Sequence, residues 1–219
     1  GTEGEQLSSL IEVDLKSLDI IHSYPSTDQL QVFGSVAVAE AGGIFVSDSK
    51  RASLLELQAG KIVEVAGHNG KGSFQGIAPI GDVVYVADYT NGIYRYDIKS
   101  GKSGYLTNIS AFSLIAIDGL SPYKDNQLIA IQNGLWPHRV LRLFIEGDTV
   151  ACVEILASGL PEFEEPTNGV VLGNEFIFIA NSQWPKFADP ANSPKADALN
   201  PTQILSINLK KSASQCHAS

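Results

Sequence analysis

Four residues stand immediately before a glycine at the head of a strand-like run: Phe33 before Gly34, Gln75 before Gly76, Asp118 before Gly119 and Asn168 before Gly169. Three of them carry side-chain oxygens, the neutral Gln75 being the poorer candidate ligand. Asp118 supplies the single carboxylate of the four positions, and Asn168 supplies an amide oxygen. Asp-Gly and Asn-Gly pairs are also turn formers, because their short side chains bond nearby backbone and tolerate left-handed conformations. A repeated residue-glycine pair at the start of inner strands would instead turn the preceding side chain toward a shared channel. At this stage the two readings stand level.

Other reactive residue types do not converge. His22, His68, His138 and His217 sit in unrelated contexts, and His138 beside Arg139 reads as surface or packing, since a base needs partners in a defined geometry. The amides Gln132-Asn133 and Asn181-Ser182-Gln183 end apolar runs, where they are expected to satisfy backbone groups. Gly67 to Gly72 lacks the spacing of a phosphate loop. There is no Gly-x-Ser-x-Gly elbow, His-Glu-x-x-His pair or Cys-x-x-Cys motif. Cys152 and Cys216 lack metal or redox spacing and read as two unrelated thiols.

The elements that must position Asp118 and Asn168 are short strands in a repeated order. The four glycines are spaced by 42, 43 and 50 residues, and a period of roughly 40 to 50 residues made of short strands is that of a β-propeller blade. Blade one is expected at Phe33 to Ala39, Gly43 to Ser47, Ser53 to Leu57 and Lys61 to Ala66. Blade two follows at Phe74 to Pro79, Asp82 to Ala87, Gly92 to Tyr96 and Ser103 to Leu106. Blade three opens at Asp118-Gly119 and continues through Leu128 to Ile131, Val140 to Ile145 and Thr149 to Leu156. Blade four has Gly169 to Leu172, Glu175 to Ala180 and Gln203 to Ile207, with no fourth strand. A long insertion, Pro185 to Pro201, divides its second and third strands and is expected to be functional or mobile. Ahead of all four, Leu10 to Leu15 and Leu18 to Ile21 resemble an outer strand pair.

Length and composition agree with one soluble globular domain spanning 1–219, with a polar leader at 1–6 and a disordered tail at 210–219. The chain is 44% hydrophobic and 18% charged, which excludes disorder. Its formal net charge of -9, with scattered basic residues, argues against nucleic acid as a partner. No apolar run is long enough to span a bilayer. A secreted or periplasmic location after processing stays open.

The stretches AIDGL (116–120), LIAIQNGLWPHRVLRL (128–143), EEPTNGVVLGNEFIFIANSQW (164–184) and VYVADYTNGIYRYDIKSGK (84–102) resemble the family of senescence marker protein, gluconolactonase and luciferin-regenerating enzyme, in its broad bacterial branch. The resemblance runs from Gln31 to about Leu209. It implies an all-β, six-bladed propeller, of which about four and a half blades are visible, so that upstream residues are expected to be missing. It also implies a calcium ion in a central tunnel, held by oxygen ligands at the starts of inner strands. The matching positions here are Asp118 and Asn168. Gly34-Ser35 and Gln75 depart from the family pattern, and its first-blade glutamate has no counterpart, since Glu3 and Glu5 precede no strand.

The function so implied is calcium-dependent hydrolysis of lactones or small esters, with Asp118 as metal ligand or catalytic base. The alternative is a non-catalytic propeller that binds a small molecule near the tunnel or a protein on one face.

Overall fold

The computed structural model describes residues 7–124, 126–187 and 194–210. The expected leader at 1–6 and nearly all of the expected tail, 211–219, lie outside them. The chain divides into two compact units, Gly1–Tyr105 and Leu106–Ser219.

The first unit begins with an antiparallel pair, β1 (Ser9–Val13) and β2 (Ile20–Pro25). Asp14 Oδ1 accepts the backbone N–H groups of Lys16 and Ser17, both at 2.8 Å, and so fixes the turn between them. Two up-and-down sheets follow. One is β3 (Phe33–Val38), β4 (Ile44–Asp48), β5 (Ser53–Gln58) and β6 (Lys61–Gly67). The other is β7 (Phe74–Ile80), β8 (Val83–Asp88), β9 (Gly92–Asp97) and β10 (Ser103–Tyr105). Each pairs consecutive strands only, which is the connectivity of a propeller blade.

The continuous apolar runs of the second strands have a direct cause. β4 and β8 are covered on both faces, with Phe45, Val84 and Val86 fully buried, so neither face needs polar residues. Phe45, Leu54, Phe74, Val84 and Tyr94 pack between the two sheets. A smaller cluster, Val46, Leu55 and Ile62, meets Leu10 and Tyr24 of the leading hairpin.

Both second strands end in a fully buried aspartate. Asp48 Oδ1 accepts the N–H groups of Val32, Lys50 and Arg51, and Asp88 Oδ1 accepts those of Ser73 and Thr90. Each side chain thus ties the turn after its strand to the segment leading into the blade. A Cβ on Gly72 would collide with the Asp88 carboxylate, which makes glycine a requirement there.

In the second unit, β12 (Ile117–Tyr123), β13 (Gln127–Gln132), β14 (Arg139–Glu146) and β15 (Thr149–Ser158) form an antiparallel sheet. A two-residue strand, β11 (Thr107–Asn108), adds to it parallel to β15; so short a strand leaves no period to read. The last sheet is β16 (Gly169–Leu172), β17 (Glu175–Ile179) and β18 (Ile204–Asn208), three strands as expected. Ile129, Ile131, Val140, Phe176 and Phe178 fill the space between the two sheets. Within the first sheet, Arg142 and Glu154 form a buried ion pair at 3.2 Å. Arg142 Nη2 also donates to the carbonyl of Leu209 at 2.5 Å, joining the end of β18 to the neighbouring sheet.

The only helical pieces among the described residues are 3-10 turns at Trp184–Phe187 and Ala196–Ala198. The first begins one residue before the long insertion and the second lies within it; side-chain amides hold the described residues at its ends. Asn181 Nδ2 donates to the carbonyl of Pro201, and its Oδ1 accepts the N–H of Gln203. Gln183 likewise donates to the carbonyl of Asn200 and accepts its N–H. These buried amides satisfy backbone groups, as their positions at a strand end suggested.

Cys152 in β15 is disulfide-bonded, which corrects the expectation of two unrelated thiols. Sequence spacing carries no information on which Cβ atoms a fold brings within bonding reach. Cys216 lies outside the described residues.

Candidate functional site

Asp118 is set apart by a break in its own strand. In the β12–β13 ladder Ile117 pairs with Gln132 and Gly119 with Ile131, with a register shift between them that leaves Asp118 unpaired. A bulge of this kind bends the strand and redirects a side chain. The same irregularity occurs between Phe33 and Val36 in β3 and between Phe74 and Ile77 in β7. The repeated glycine pairs of the first three blades therefore mark bulges, whereas β16 pairs regularly from Gly169.

The two positions singled out in the sequence lie close together. A Cβ on Gly119 would stand 3.4 Å from the Cα of Asn168, in van der Waals contact. Thr167, directly before Asn168, donates its hydroxyl to Asp118 Oδ2 at 2.7 Å. Asn133 Nδ2 donates to the same oxygen at 3.0 Å and to the carbonyl of Pro166 at 3.0 Å. Asp118 Oδ2 is thus held by two donors, while Oδ1 has no partner among the described residues.

Asn133 Oδ1, beside this carboxylate, has no hydrogen-bond partner among the described residues, and neither do Glu165 Oε2 and, near Glu165, His138 Nδ1. Asn133 is only 6% exposed, and buried polar atoms without partners are rare enough to require a reason such as water or an ion. Burial pushes the Glu165 carboxyl above its usual range; the Asp118 charge adds to this, and His138 opposes it. Ser182 anchors the same segment by donating its hydroxyl to the carbonyl of Glu165 at 2.7 Å.

A calcium ion, expected from the family resemblance, requires oxygen ligands. Asp118 Oδ1, the Asn168 amide and the unpartnered Asn133 Oδ1 fit that requirement in type. Among the described residues no three of His, Cys, Asp and Glu are grouped as metal ligands, so an ion here would rest on amide oxygens and water besides Asp118. The other two expected blade starts are occupied differently. Ser35 donates its N–H to Ser47 Oγ at 2.8 Å, and Gln75 Nε2 donates to Ser73 Oγ at 2.8 Å.

A pocket of about 450 Å³ adjoins the carboxylate. Thr167 lines it, together with Ile179, Ser182, Trp184, Phe187 and Leu199 among others. Trp184 and Phe187 are 63% and 39% exposed. Neither Thr167 nor Glu165 carried a sequence signal, because their roles arise from contacts with β12 and β13.

No protein-family model matches the chain, and no curated protein matches it in sequence. Solved structures do. A luciferin-regenerating enzyme superposes with a TM-score of 0.61 at 12% identity, over 97% of this chain and 73% of that one. Virginiamycin B lyase from Staphylococcus aureus gives 0.58 at 16% identity, over 74% of this chain and 53% of that one; the match thus spans about half of the lyase. A nidogen/laminin complex gives 0.55 at 12% identity, over 77% and 80%. At these identities the likeness establishes the fold: an all-β chain whose sheets are arranged like those of β-propellers.

Proposed function

We propose that this chain is a propeller-type hydrolase of lactones or small esters, of the senescence marker protein and gluconolactonase kind, with Asp118 at its reactive centre and a calcium ion as cofactor. The observation that carries the reading is the bulged, doubly anchored Asp118 with one oxygen unengaged, beside the unpartnered Asn133 Oδ1. A luciferin-regenerating enzyme among the structural neighbours supports it.

Asp118, Asn168 and Asn133 would hold the ion, which when bound supplies Lewis-acid polarisation of a carbonyl and a more acidic water. The chain's own residues do the rest. Thr167 and Asn133 fix the orientation of the Asp118 carboxylate through Oδ2, so that Oδ1 serves either as a ligand to the ion or, where water takes that coordination position, as the acceptor of the attacking water's proton. Glu165, held toward its protonated form by burial, can return a proton to the departing alkoxide.

Isothermal titration with calcium and a pH-stat assay of lactone hydrolysis test this reading. Asp118→Ala should lose calcium affinity by far more than Asn168→Ala, which removes a neutral oxygen that water replaces, and should abolish hydrolysis. Undiminished calcium affinity in Asp118→Ala would remove the site. Absence of calcium binding and hydrolysis in the parent chain would favour the second reading, a non-catalytic binding propeller, which the nidogen/laminin likeness supports.

A further inference from the structure

The pocket beside Thr167 has a chemistry of its own. Its apolar wall comes from Ile179, Trp184, Phe187 and Leu199, and none of the described residues lining it is charged. At about 450 Å³ it lies within the range of small-molecule sites, which are mostly apolar with a few placed polar groups. Its polar groups are the hydroxyls of Thr167, Ser182 and Thr202 and the amides of Asn181, Gln183 and Asn200. Thr167 donates to Asp118 and Ser182 donates to the carbonyl of Glu165, so toward the pocket both present lone pairs. Asn181 and Gln183, which also line it, have their amide groups engaged by the backbone of the insertion. Lys186, next in sequence to the lining residue Phe187, is paired with Glu164 at 3.2 Å.

We infer that this pocket binds an uncharged lactone or ester bearing an aromatic ring, and that it disfavours the carboxylate formed when such a substrate opens. The ring would lie against Trp184 and Phe187, whose exposed faces offer contact area at little entropic cost. The reacting carbonyl would then be one hydroxyl away from Asp118. A carboxylate in the same place would face the lone pairs of Thr167 and Ser182 and the charge of Asp118, with no cation among the described lining residues to offset its lost hydration. Substrate capture and product release follow from the same lining. This deepens the hydrolase reading and rests on it for the ester group; the aromatic and charge preferences rest on the pocket alone.

Equilibrium dialysis in EDTA measures binding apart from the metal and the reaction. The probes are phthalide, a neutral aromatic lactone, γ-butyrolactone, which lacks the ring, and 2-(hydroxymethyl)benzoate, the opened anion of phthalide. Phthalide should bind at least about tenfold more tightly than either of the others, and Trp184→Ala should weaken it by about tenfold while Trp184→Phe largely restores it. Asp118→Asn should leave phthalide binding within about twofold, because the carboxylate is not a pocket wall. Trp184 is exposed, so the variants should keep the parent's circular dichroism. Equal binding of phthalide and its anion, or unchanged affinity in Trp184→Ala, would overturn the inference. Phthalide that binds as expected but is not hydrolysed when calcium is restored would sink the hydrolase reading and leave the pocket. Asp118-dependent hydrolysis without Trp184-dependent binding would do the reverse.

Discussion

Asp88 and Asp118 are carboxylates with different amounts of work left to do. Asp88 is fully buried and both its oxygens are engaged: Oδ1 by the N–H groups of Ser73 and Thr90, Oδ2 by Asn91 Nδ2 at 2.9 Å and the Tyr105 hydroxyl at 2.5 Å. Burial alone would raise its pKa, but the donors Tyr105, Asn91, Ser73 and Thr90 outweigh it, and the net shift is downward. A depressed folded-state pKa contributes stability that is present above the unfolded value, about 3.9, and is lost as pH falls through the folded value. Tyr105 moves the other way, raised by burial and by Asp88, so its share is present below its ordinary value of about 10 and lost as pH rises toward the folded one. Asp88→Asn should therefore cost about 1–3 kcal/mol near neutrality, and the gap to the parent should narrow as pH drops below about 4. Urea unfolding at pH 7, 4 and 3 measures it; a gap that stays constant across the series would show that the charge of Asp88 is immaterial. The sequence singled out Asp118 and passed over Asp88, because a glycine pair repeats visibly whereas saturation of a carboxylate depends on distant donors. Thr167 and Glu165 carry no mark in the sequence, and Asn133 reads there only as a partner for backbone groups, because their contacts around the bulge exist only in three dimensions.

Most strands are legible to within a residue or two because each is a short apolar run closed by glycine or a turn residue; β2 is an exception, running to Pro25 rather than Ile21. β5 through β9 illustrate the rule, starting at Ser53, Lys61, Phe74, Val83 and Gly92 where the apolar runs begin. What stayed hidden was what breaks the period: the bulges at β3, β7 and β12, the parallel β11, and the buried charge pair between β14 and β15. Arg142 and Glu154 occupy directly opposed positions with side chains 9% and 3% exposed. Alternation along β14 would assign Arg142 to a solvent face, yet the ring of Tyr123 lies under its guanidinium at 5.3 Å. Removing one member of such a pair strands the other charge away from water, so Glu154→Ala should destabilise by about 3–5 kcal/mol, while replacing the pair together with Met and Leu should cost less. Thermal melts of the single and double variants decide the matter. A single variant within about 0.5 kcal/mol of the parent would mean that Arg142 finds other acceptors.

For the whole chain, charge and surface act against each other. A formal net charge of -9 keeps copies apart at neutral pH, and the calculated isoelectric point is 4.8. Two strand groups nevertheless carry large apolar side chains in the open: Ile11, Ile20 and Ile21 on β1 and β2, and Val170, Leu172 and Ile204 on β16 and β18. Contiguous exposed apolar surface on strands is a site of association. Repulsion between copies should fade as the carboxylates protonate, leaving these faces to meet. Light scattering should show the mean mass rising as pH falls from 7 toward 4.8, by about twofold or more at tens of micromolar protein. The double variant Ile20→Thr/Leu172→Thr keeps the charge and the strand preference, so it should suppress the rise without moving the isoelectric point. A mass that rises equally in parent and variant would assign association to lost charge alone; a mass that never rises would show that these faces do not attract one another even when repulsion is gone.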